Sequence, residues 1–314
     1  MKIAINGFGR IGRAITKLNS NYSVFDINLI NDINPSASNL SYLLKYDSTY
    51  GIFEKNILLK NNNFLIDNKK IKISSFKKID QLELKKNNID ILIDSTGINH
   101  SRSDLEKIIK KENLKFIILT NSSDMSDIEV VMGLNETKIK KKNKIISASI
   151  CDANAVAHLI KWIDDEYSII NGSLTTLHPW LSYQNLSDGT SISQSNPSVP
   201  WNDFALGRSA VNNLIPKNTS AINATAKIIP SIDKKFISFS YRTPMDIVTS
   251  ADLLINVKKN LNLNKLKLYL EKKVKNSKFV SINTESLVSR DFIKNESSCI
   301  IDLNWLKVNL NTIK

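Results

Sequence analysis

The chain has 314 residues, 42% hydrophobic and 23% charged, which is typical of a globular protein. Its formal net charge is +13, but the excess is almost entirely lysine, since only six residues are arginine. Scattered lysines form a solvated surface, so a specific nucleic-acid partner is not expected. Two cysteines argue against a disulfide framework and favour the cytoplasm, and no apolar run approaches the roughly 18 residues of a membrane span.

The N-terminal half alternates apolar strands with helical segments. Residues 2–6 predict a strand that runs into the glycine-rich GFGRIGR and then a helix through residue 21. Further strands are predicted at 24–32, 89–97, 114–121, 128–135 and 144–149. Alternation of this kind predicts an α/β domain of Rossmann type with a mostly parallel, doubly wound sheet.

The pattern changes after residue 150. Residues 152–167 predict a helix, with apolar positions at Ala155, Leu159 and Trp162. Longer strand-like segments follow at 167–181, 234–244, 247–259, 263–276 and 299–310, and a low-complexity loop is predicted at 187–203. These features predict an α+β domain with a largely antiparallel sheet, occupying residues 151–314.

The glycine-rich segment has the GxGxxG spacing of a dinucleotide site. Gly7, Gly9 and Gly12 follow a strand and open a helix, where backbone N–H groups bind a pyrophosphate. Asp32 ends the second strand 20 residues after Gly12, the position of a carboxylate that accepts hydrogen bonds from the ribose and repels a 2′-phosphate. The sequence therefore predicts that residues 1–150 bind NAD rather than NADP.

Cys151 stands where an apolar strand gives way to a predicted helix. The helix dipole favours a lowered thiol pKa there, which suits a nucleophile. The alternative is that this cysteine fills a gap in the core. Only its partners elsewhere in the chain decide between the two interpretations.

Several segments resemble, in order and spacing, the phosphorylating glyceraldehyde-3-phosphate dehydrogenase family. They are INGFGRIGR (5–13), KYDSTYG (45–51), DSTG (94–97), VVMGLN (130–135), NNLIP (212–216) and SYRTP (240–244). The resemblance covers nearly the whole chain. It implies an NAD-dependent oxidation of an aldehyde followed by attack of inorganic phosphate on a thioester, in a homotetramer of the glycolytic type.

The resemblance also implies the catalytic pair. SASICDANA aligns with the family's nucleophile motif and places Cys151 on the nucleophile and Asn154 on the asparagine that follows it. TTLHPWLSYQ places His178 on the base, 27 residues after Cys151. The imidazole would accept the thiol proton and the thiolate would attack the aldehyde. The implied cofactor-binding residues are Gly7, Gly9, Arg10, Ile11, Gly12, Asp32, Lys77 and Thr96.

The chain departs from the family around the substrate. Ile150 and Asp152 replace two hydroxyl residues that help to hold the attacking phosphate, and Leu181 and Tyr183 replace two threonines of the substrate-phosphate site. An apolar side chain donates no hydrogen bond and a carboxylate repels phosphate, so weak use of phosphate is expected. The implied substrate-binding residues are Ile150, Asp152, Leu181, Arg208, Thr219, Ser220 and Arg242, with Arg242 as the main anchor.

Two further differences concern length. TSISQSNPSVPWND is expected to extend the loop between His178 and Arg208, and the sequence ends at Lys314, before the position of a family segment that orients the nicotinamide carboxamide. No metal site is predicted, and His100, His158 and Cys299 are expected to be structural. Two alternative functions remain open. One is the same mechanism with another aldehyde or with water as the acceptor, and the other is a non-catalytic NAD-binding module.

Overall fold

The computed structural model describes residues 1–193 and 202–314. These residues form two compact units. The first comprises residues 1–129 and 139–148, and the second comprises residues 130–138 and 149–314. Within the described residues, no helix has the length and apolar character needed to cross a bilayer.

The first unit contains eleven strands and three α-helices among the described residues. The strands are β1 (Lys2–Asn6), β2 (Asp26–Asn31), β3 (Tyr46–Asp47), β4 (Gly51–Ile52), β5 (Ile57–Lys60), β6 (Asn63–Ile66), β7 (Lys69–Ser74), β8 (Ile91–Asp94), β9 (Phe116–Leu119), β10 (Ile128–Glu129) and β11 (Ile145–Ser147). The helices are α1 (Arg10–Tyr22), α2 (Ala37–Lys45) and α3 (Arg102–Glu112).

The main sheet of this unit has the strand order β10-β11-β9-β8-β1-β2-β7-β6-β5. The first seven strands in this order, β10 through β7, run parallel to one another. Strands β6 and β5 extend the sheet as an antiparallel hairpin. Apolar strand residues such as Ile5, Leu92 and Ile117 are fully buried, as expected for a sheet covered on both faces. The predicted doubly wound fold is confirmed.

One predicted strand of this half is mostly a turn. Only Ile128–Glu129 of the segment 128–135 pairs in the sheet. Past this point the Asn135 side chain accepts the Val131 N–H at 2.9 Å, and Gly133 takes a left-handed φ of 86°. Residues 130–138 belong to the second unit, and Val131 is fully buried in its core cluster, whereas Met132 is 50% exposed.

The second unit contains eight strands and three α-helices among the described residues. The strands are β12 (Ile169–Pro179), β13 (Ile215–Lys217), β14 (Phe236–Thr243), β15 (Ser250–Val257), β16 (Val280–Asn283), β17 (Cys299–Asp302), β18 (Val308–Asn309) and β19 (Thr312–Ile313). The helices are α4 (Cys151–Tyr167), α5 (Ala221–Ile228) and α6 (Leu263–Lys275).

Its six-stranded sheet has the order β13-β14-β12-β15-β19-β18. All neighbours are antiparallel except β12 and β14, so the predicted largely antiparallel α+β domain is confirmed. Val156, Ile160 and Ile163 of α4 share one buried cluster with Leu174 of β12 and Ile255 of β15. This packing fixes the start of α4 relative to the sheet.

The segment 263–276, expected to be extended, is the helix α6. Leucines alternate at 266, 268 and 270, which imitates a strand, but Leu266 and Leu270 are fully buried while Leu268 is 65% exposed. Burial at a spacing of four residues is helical. The Asn262 side chain caps the helix by accepting the Lys265 N–H at 3.1 Å.

Candidate active site and nucleotide site

The glycine loop between β1 and α1 has the shape that a pyrophosphate requires. Gly7 adopts a φ of 89°, and a Cβ on Gly12 would lie 2.2 Å from the Gly7 carbonyl oxygen. A Cβ on Gly9 would meet no atom within 4 Å, so this face of the loop is open. No side chain of the described residues caps α1, and its first turn carries no acidic residue. The first turn of α1 thus presents its backbone N–H groups to this open face, where a helix N-terminus favours an anion.

Asp32 lies beside this loop. One carboxylate oxygen accepts the Phe8 N–H at 2.7 Å and the other accepts the Asn34 N–H at 2.9 Å. The two hydrogen bonds fix the carboxylate at the end of β2. This is the position from which an acidic side chain binds ribose hydroxyls, so the residues fit NAD.

The remaining cofactor-binding candidates lie in the same unit. Arg10 and Ile11 are exposed on the first turn of α1, Lys77 is exposed after β7, and Thr96 follows β8. Thr96 donates from its N–H and its hydroxyl to Asp94 at 2.9 and 2.6 Å.

Sequence reasoning missed the cluster around Asp94. This buried carboxylate also contacts His100 Nε2 at 2.6 Å, so the histidine that matched no motif orients the turn after β8. Ser95 Oγ donates to the Gly7 carbonyl at 2.6 Å, which ties that turn to the glycine loop. The signal in the sequence was DSTG itself, an acidic residue at the carboxyl end of a buried strand.

In the second unit, Cys151 is the first residue of α4, as predicted. Ile150 is the N-cap residue in extended conformation, and its apolar side chain makes no capping hydrogen bond. Asn154 donates two hydrogen bonds to the Ile150 carbonyl oxygen, one from its backbone N–H and one from its side-chain Nδ2, both at 2.9 Å. The helix start is therefore held by Asn154, and Cys151 is presented at its open end.

The structure brings Cys151 and His178 together. Cys151 Sγ lies 3.5 Å from His178 Nε2. His178 Nδ1 is 2.7 Å from the Pro179 carbonyl oxygen, which only accepts hydrogen bonds, so Nδ1 carries the proton. Nε2 of the neutral ring consequently faces the thiol as an acceptor.

Asp152 is the third member of this cluster. Cys151 Sγ donates to Asp152 Oδ1 at 3.5 Å, and Thr176 Oγ1 lies 3.4 Å from Asp152 Oδ2. Thr176 in turn donates to Ser240 Oγ at 2.8 Å across the β12–β14 pair. Asp152 is 5% exposed, so this carboxylate is a buried neighbour of the thiol.

The pKa values follow from this environment. Desolvation and then the Asp152 carboxylate raise the pKa of Cys151 to about 12, although one side of the residue is open to solvent. The lowered thiol pKa expected at the helix N-terminus is therefore wrong, since desolvation and the Asp152 carboxylate raise it. Desolvation, followed by the nearby Arg242, lowers the pKa of His178. The resting pair at neutral pH is a thiol beside a neutral imidazole.

Two cations border the pair. Arg242 stands opposite His178 in the β12–β14 register and is 6% exposed. Its guanidinium donates to the Tyr183 hydroxyl at 3.5 Å, while its buried Nε has no hydrogen-bond partner among the described residues. Lys217 on β13 is the second cation, and desolvation followed by Arg242 lowers its pKa. Sequence reasoning missed Lys217 because nothing distinguishes it among so many lysines except its place after NNLIP.

The other substrate-binding candidates have different surroundings. Arg208 forms an exposed ion pair with Asp188 at 2.7 Å. Thr219 accepts the Ala221 N–H at 3.2 Å and Ser220 is the exposed N-cap residue of α5. Leu181 is half-buried and its N–H is bonded to Gln184. Most of the predicted insertion lies at 194–201, outside the described residues.

His158 and Cys299 lie in the second unit. His158 is buried, and its Nε2 contacts the Met132 carbonyl at 2.9 Å while desolvation lowers its pKa. Cys299 begins β17, and desolvation raises its pKa to about 12. These environments favour the predicted structural roles.

A glycine-loop nucleotide fold joined to an α+β unit that carries a Cys/His pair defines an NAD-dependent dehydrogenase. The sequence model of the glyceraldehyde 3-phosphate dehydrogenase NAD binding domain matches residues 1–102, and that of the C-terminal domain matches residues 150–314. The chain therefore belongs to the glyceraldehyde-3-phosphate dehydrogenase family, and the resemblance seen in the sequence is confirmed. Its cofactor is NAD, as predicted.

Individual relatives agree with this assignment. The chain is 36% identical to a glyceraldehyde-3-phosphate dehydrogenase of Buchnera aphidicola subsp. Schizaphis graminum, over 100% of this chain and 92% of the relative. It is 32% identical to the protein of that name from Priestia megaterium, over 100% of this chain and 91% of the relative. It is also 32% identical to the glyceraldehyde-3-phosphate dehydrogenase of Eremothecium gossypii, over 96% of this chain and 88% of the relative.

Proposed function

We propose that the protein oxidises glyceraldehyde 3-phosphate with NAD and inorganic phosphate, as a glycolytic enzyme, through a thioester on Cys151. The observation that carries this proposal is the 3.5 Å contact between Cys151 Sγ and an unprotonated His178 Nε2. A nucleophile within reach of an oriented base is the arrangement that covalent catalysis requires.

In the first step, Cys151 Sγ bonds to the aldehyde carbon of the substrate. His178 Nε2 takes the thiol proton and returns it to the aldehyde oxygen, which gives a hemithioacetal. The lowered pKa of His178 suits this transfer, because the ring returns the proton readily. The raised pKa of Cys151 means that the proton leaves as the S–C bond forms.

In the second step, His178 takes the hemithioacetal hydroxyl proton while the C–H bond breaks, leaving a thioester on Cys151. Bound NAD supplies the acceptor for the hydride that leaves this carbon. A phosphate oxygen then attacks the thioester carbon, the C–S bond breaks, and the thiolate of Cys151 takes the proton that His178 holds. The product is an acyl phosphate.

Arg242 and Lys217 support an anionic substrate. The buried Arg242 Nε is a donor without a partner, and such groups are rare unless a ligand occupies them. Lys217 brings a second cationic group to a site in which Leu181 and Tyr183 replace threonines. We propose that these two residues bind the substrate phosphate, together with Thr219, Ser220 and Arg208 of the predicted set.

A second candidate function uses water in place of phosphate. Asp152 lies 3.5 Å from Cys151 Sγ, and its carboxylate repels an incoming phosphate while it is able to accept a proton from water. The product would then be a carboxylic acid rather than an acyl phosphate.

The predicted domains are residues 1–150 and 151–314, whereas the second compact unit also includes residues 130–138, 149 and 150. We propose that residues 1–150 bind NAD through Gly7, Gly9, Gly12 and Asp32, with Arg10, Ile11, Lys77 and Thr96 completing the site, and that residues 151–314 carry the chemistry. A reduced nucleophilic thiol is stable in a reducing compartment, and both cysteines are free, which favours a cytoplasmic location.

We further propose a homotetramer. Leu177, Ile237 and Phe239 project from the same face of the second unit's sheet, and all three are exposed, Ile237 by 77%. Exposed apolar side chains on neighbouring strands favour association with another copy. Light scattering of Ile237→Asp should then show smaller particles than the wild type. Monomers in the wild type would contradict the proposal.

The direct test measures NADH formation from glyceraldehyde 3-phosphate and from other aldehydes, with and without phosphate. NADH formation abolished in Cys151→Ser and in His178→Asn, and retained in Cys299→Ser, supports the mechanism. Because Ile150 and Asp152 lack hydroxyl donors, phosphate should accelerate the wild type weakly. Two lost hydrogen bonds to a charged group, each worth about 1.5 to 3 kcal/mol, weaken its use by roughly two to four orders of magnitude.

The variant Ile150→Ser, Asp152→Thr should gain phosphate dependence. Mass spectrometry of the product decides between acceptors, since an acyl phosphate supports the first candidate and a free acid the second. Activity that is unchanged in Cys151→Ser would contradict both.

A further inference from the structure

Three side chains at the start of α4 and the end of β12 form an unusual donor set. A sulfur atom, an imidazole nitrogen and a carboxylate oxygen, from Cys151, His178 and Asp152, all lie within 4.8 Å of one another. Thiolate, imidazole and carboxylate are the three ligand types that zinc takes in proteins. The sequence did not predict this site, because Asp152 was interpreted only as a repellent for phosphate.

The two separations from the sulfur match those of a tetrahedral zinc centre. Cys151 Sγ is 3.5 Å from both His178 Nε2 and Asp152 Oδ1. Zinc bonds of about 2.3 Å to sulfur and about 2.0 Å to nitrogen or oxygen, at tetrahedral angles, place neighbouring ligand atoms roughly 3.5 Å apart. The sulfur therefore lies at a zinc-ligand separation from each of the other two atoms, and the ligand atoms of His178 and Asp152 are within 4.8 Å of each other.

The surrounding hydrogen bonds orient these ligands. The Pro179 carbonyl accepts the His178 Nδ1–H at 2.7 Å, which leaves the Nε2 lone pair directed at the cluster. Thr176 Oγ1 contacts the second oxygen of Asp152 at 3.4 Å and so steadies the carboxylate. Partners of this kind fix the tautomer and direction of metal ligands.

We propose that Cys151, Asp152 and His178 bind a zinc ion that reversibly switches off the nucleophile. Zinc binding would release the thiol proton to solvent, and the thiolate and carboxylate would then cancel the charge of the ion, so the complex beside Arg242 and Lys217 would be neutral. Three protein ligands leave a fourth position for water. The inhibition rests on the proposed role of Cys151, whereas the binding does not depend on it.

The test uses Co²⁺ as a spectroscopic probe on the metal-free full chain. Wild type should bind one Co²⁺ per chain with a thiolate-to-cobalt charge-transfer absorption, and Zn²⁺ should displace it. Cys151→Ser should lose the absorption, and Cys299→Ser, the matched control, should keep it. Asp152→Asn and Asp152→Thr should weaken the affinity by at least about tenfold, with folding checked by circular dichroism.

The proposal would be overturned by absence of the absorption in the wild type or by its persistence in Cys151→Ser. It would also be overturned if both Asp152 variants bound Co²⁺ with the affinity of the wild type. Where NADH formation is present, Zn²⁺ should inhibit it and a chelator should restore it. A wild type that binds Co²⁺ but oxidises no aldehyde would leave the zinc site standing and refute the proposed function. An active enzyme that does not bind Co²⁺ would refute the zinc site and leave the proposed function standing.

Discussion

Asp152 Oδ1 accepts a hydrogen bond from Cys151 Sγ at 3.5 Å, so a buried carboxylate directly adjoins the proposed nucleophile. The negative charge opposes ionisation of the thiol, and desolvation acts in the same direction. The Cys151 pKa of about 12 keeps the thiol protonated at rest. Its reactivity then depends on proton transfer to His178 rather than on a preformed thiolate.

Replacing Asp152 with asparagine should lower the Cys151 pKa, because the charge is removed while the shape is kept. A decrease of one pKa unit raises the thiolate fraction about tenfold at any pH below that pKa. The iodoacetamide alkylation rate of Cys151, followed by mass spectrometry from pH 6 to roughly 10 with a chelator present, should shift to lower pH in the variant. Cys299 in the same samples is the control. Superimposable profiles would show that Asp152 does not control the thiol.

Asp32→Asn should narrow the preference for NAD over NADP. At the ribose position that we propose for it, the wild-type carboxylate would repel the additional 2′-phosphate of NADP, and asparagine would remove that repulsion. Titration of both nucleotides measures the affinity ratio, with Asp26→Asn at the exposed start of β2 as the control. Equal wild-type affinity for the two nucleotides would refute the assignment of Asp32.

Gly12→Ala should destabilise the nucleotide unit. The added Cβ would lie 2.2 Å from the Gly7 carbonyl oxygen, so backbone has to move. Overpacking of this kind amounts to about 1 to 3 kcal/mol, or a decrease in Tm of roughly 2 to 12 °C. Gly9→Ala, whose Cβ would meet nothing within 4 Å, should keep the wild-type Tm while NAD binding weakens. Equal Tm values for Gly12→Ala and wild type would disprove the tight turn.

Lys217→Gln should raise the KM for glyceraldehyde 3-phosphate by at least about tenfold, since a hydrogen bond to a charged group contributes roughly 1.5 to 3 kcal/mol. The KM for unphosphorylated glyceraldehyde should change little. Lys272→Gln, which changes an exposed lysine of α6, is the matched control. An identical effect on both substrates would mean that Lys217 supports the fold rather than the phosphate.

Sequence patterns predicted the parts of the site that lie close together along the chain. The loop from Gly7 to Gly12 is one turn, and Asp32 follows β2 directly and accepts the Phe8 N–H of this loop. Cys151 and His178 are separated by 27 residues, and motif resemblance rather than periodicity paired them. Their 3.5 Å contact is what the structure adds.

Contacts across strands were beyond sequence reasoning. Thr176 meets Ser240 because β12 and β14 run parallel in one register, and the same register sets Arg242 opposite His178. Lys217 joins them from β13. The error at α6 has a similar origin, since alternating leucines fit a strand until burial of Leu266 and Leu270 reveals a helical face.

The central claim is that Cys151 carries the acyl group during turnover. The most direct measurement incubates the protein with NAD and glyceraldehyde 3-phosphate without phosphate, quenches it in acid and locates the adduct by peptide mass spectrometry. A phosphoglyceroyl thioester on Cys151, present in Cys299→Ser and absent in Cys151→Ser, is the predicted result. NADH formation without an adduct on Cys151, an adduct on Cys299 instead, or neither NADH nor adduct would contradict it.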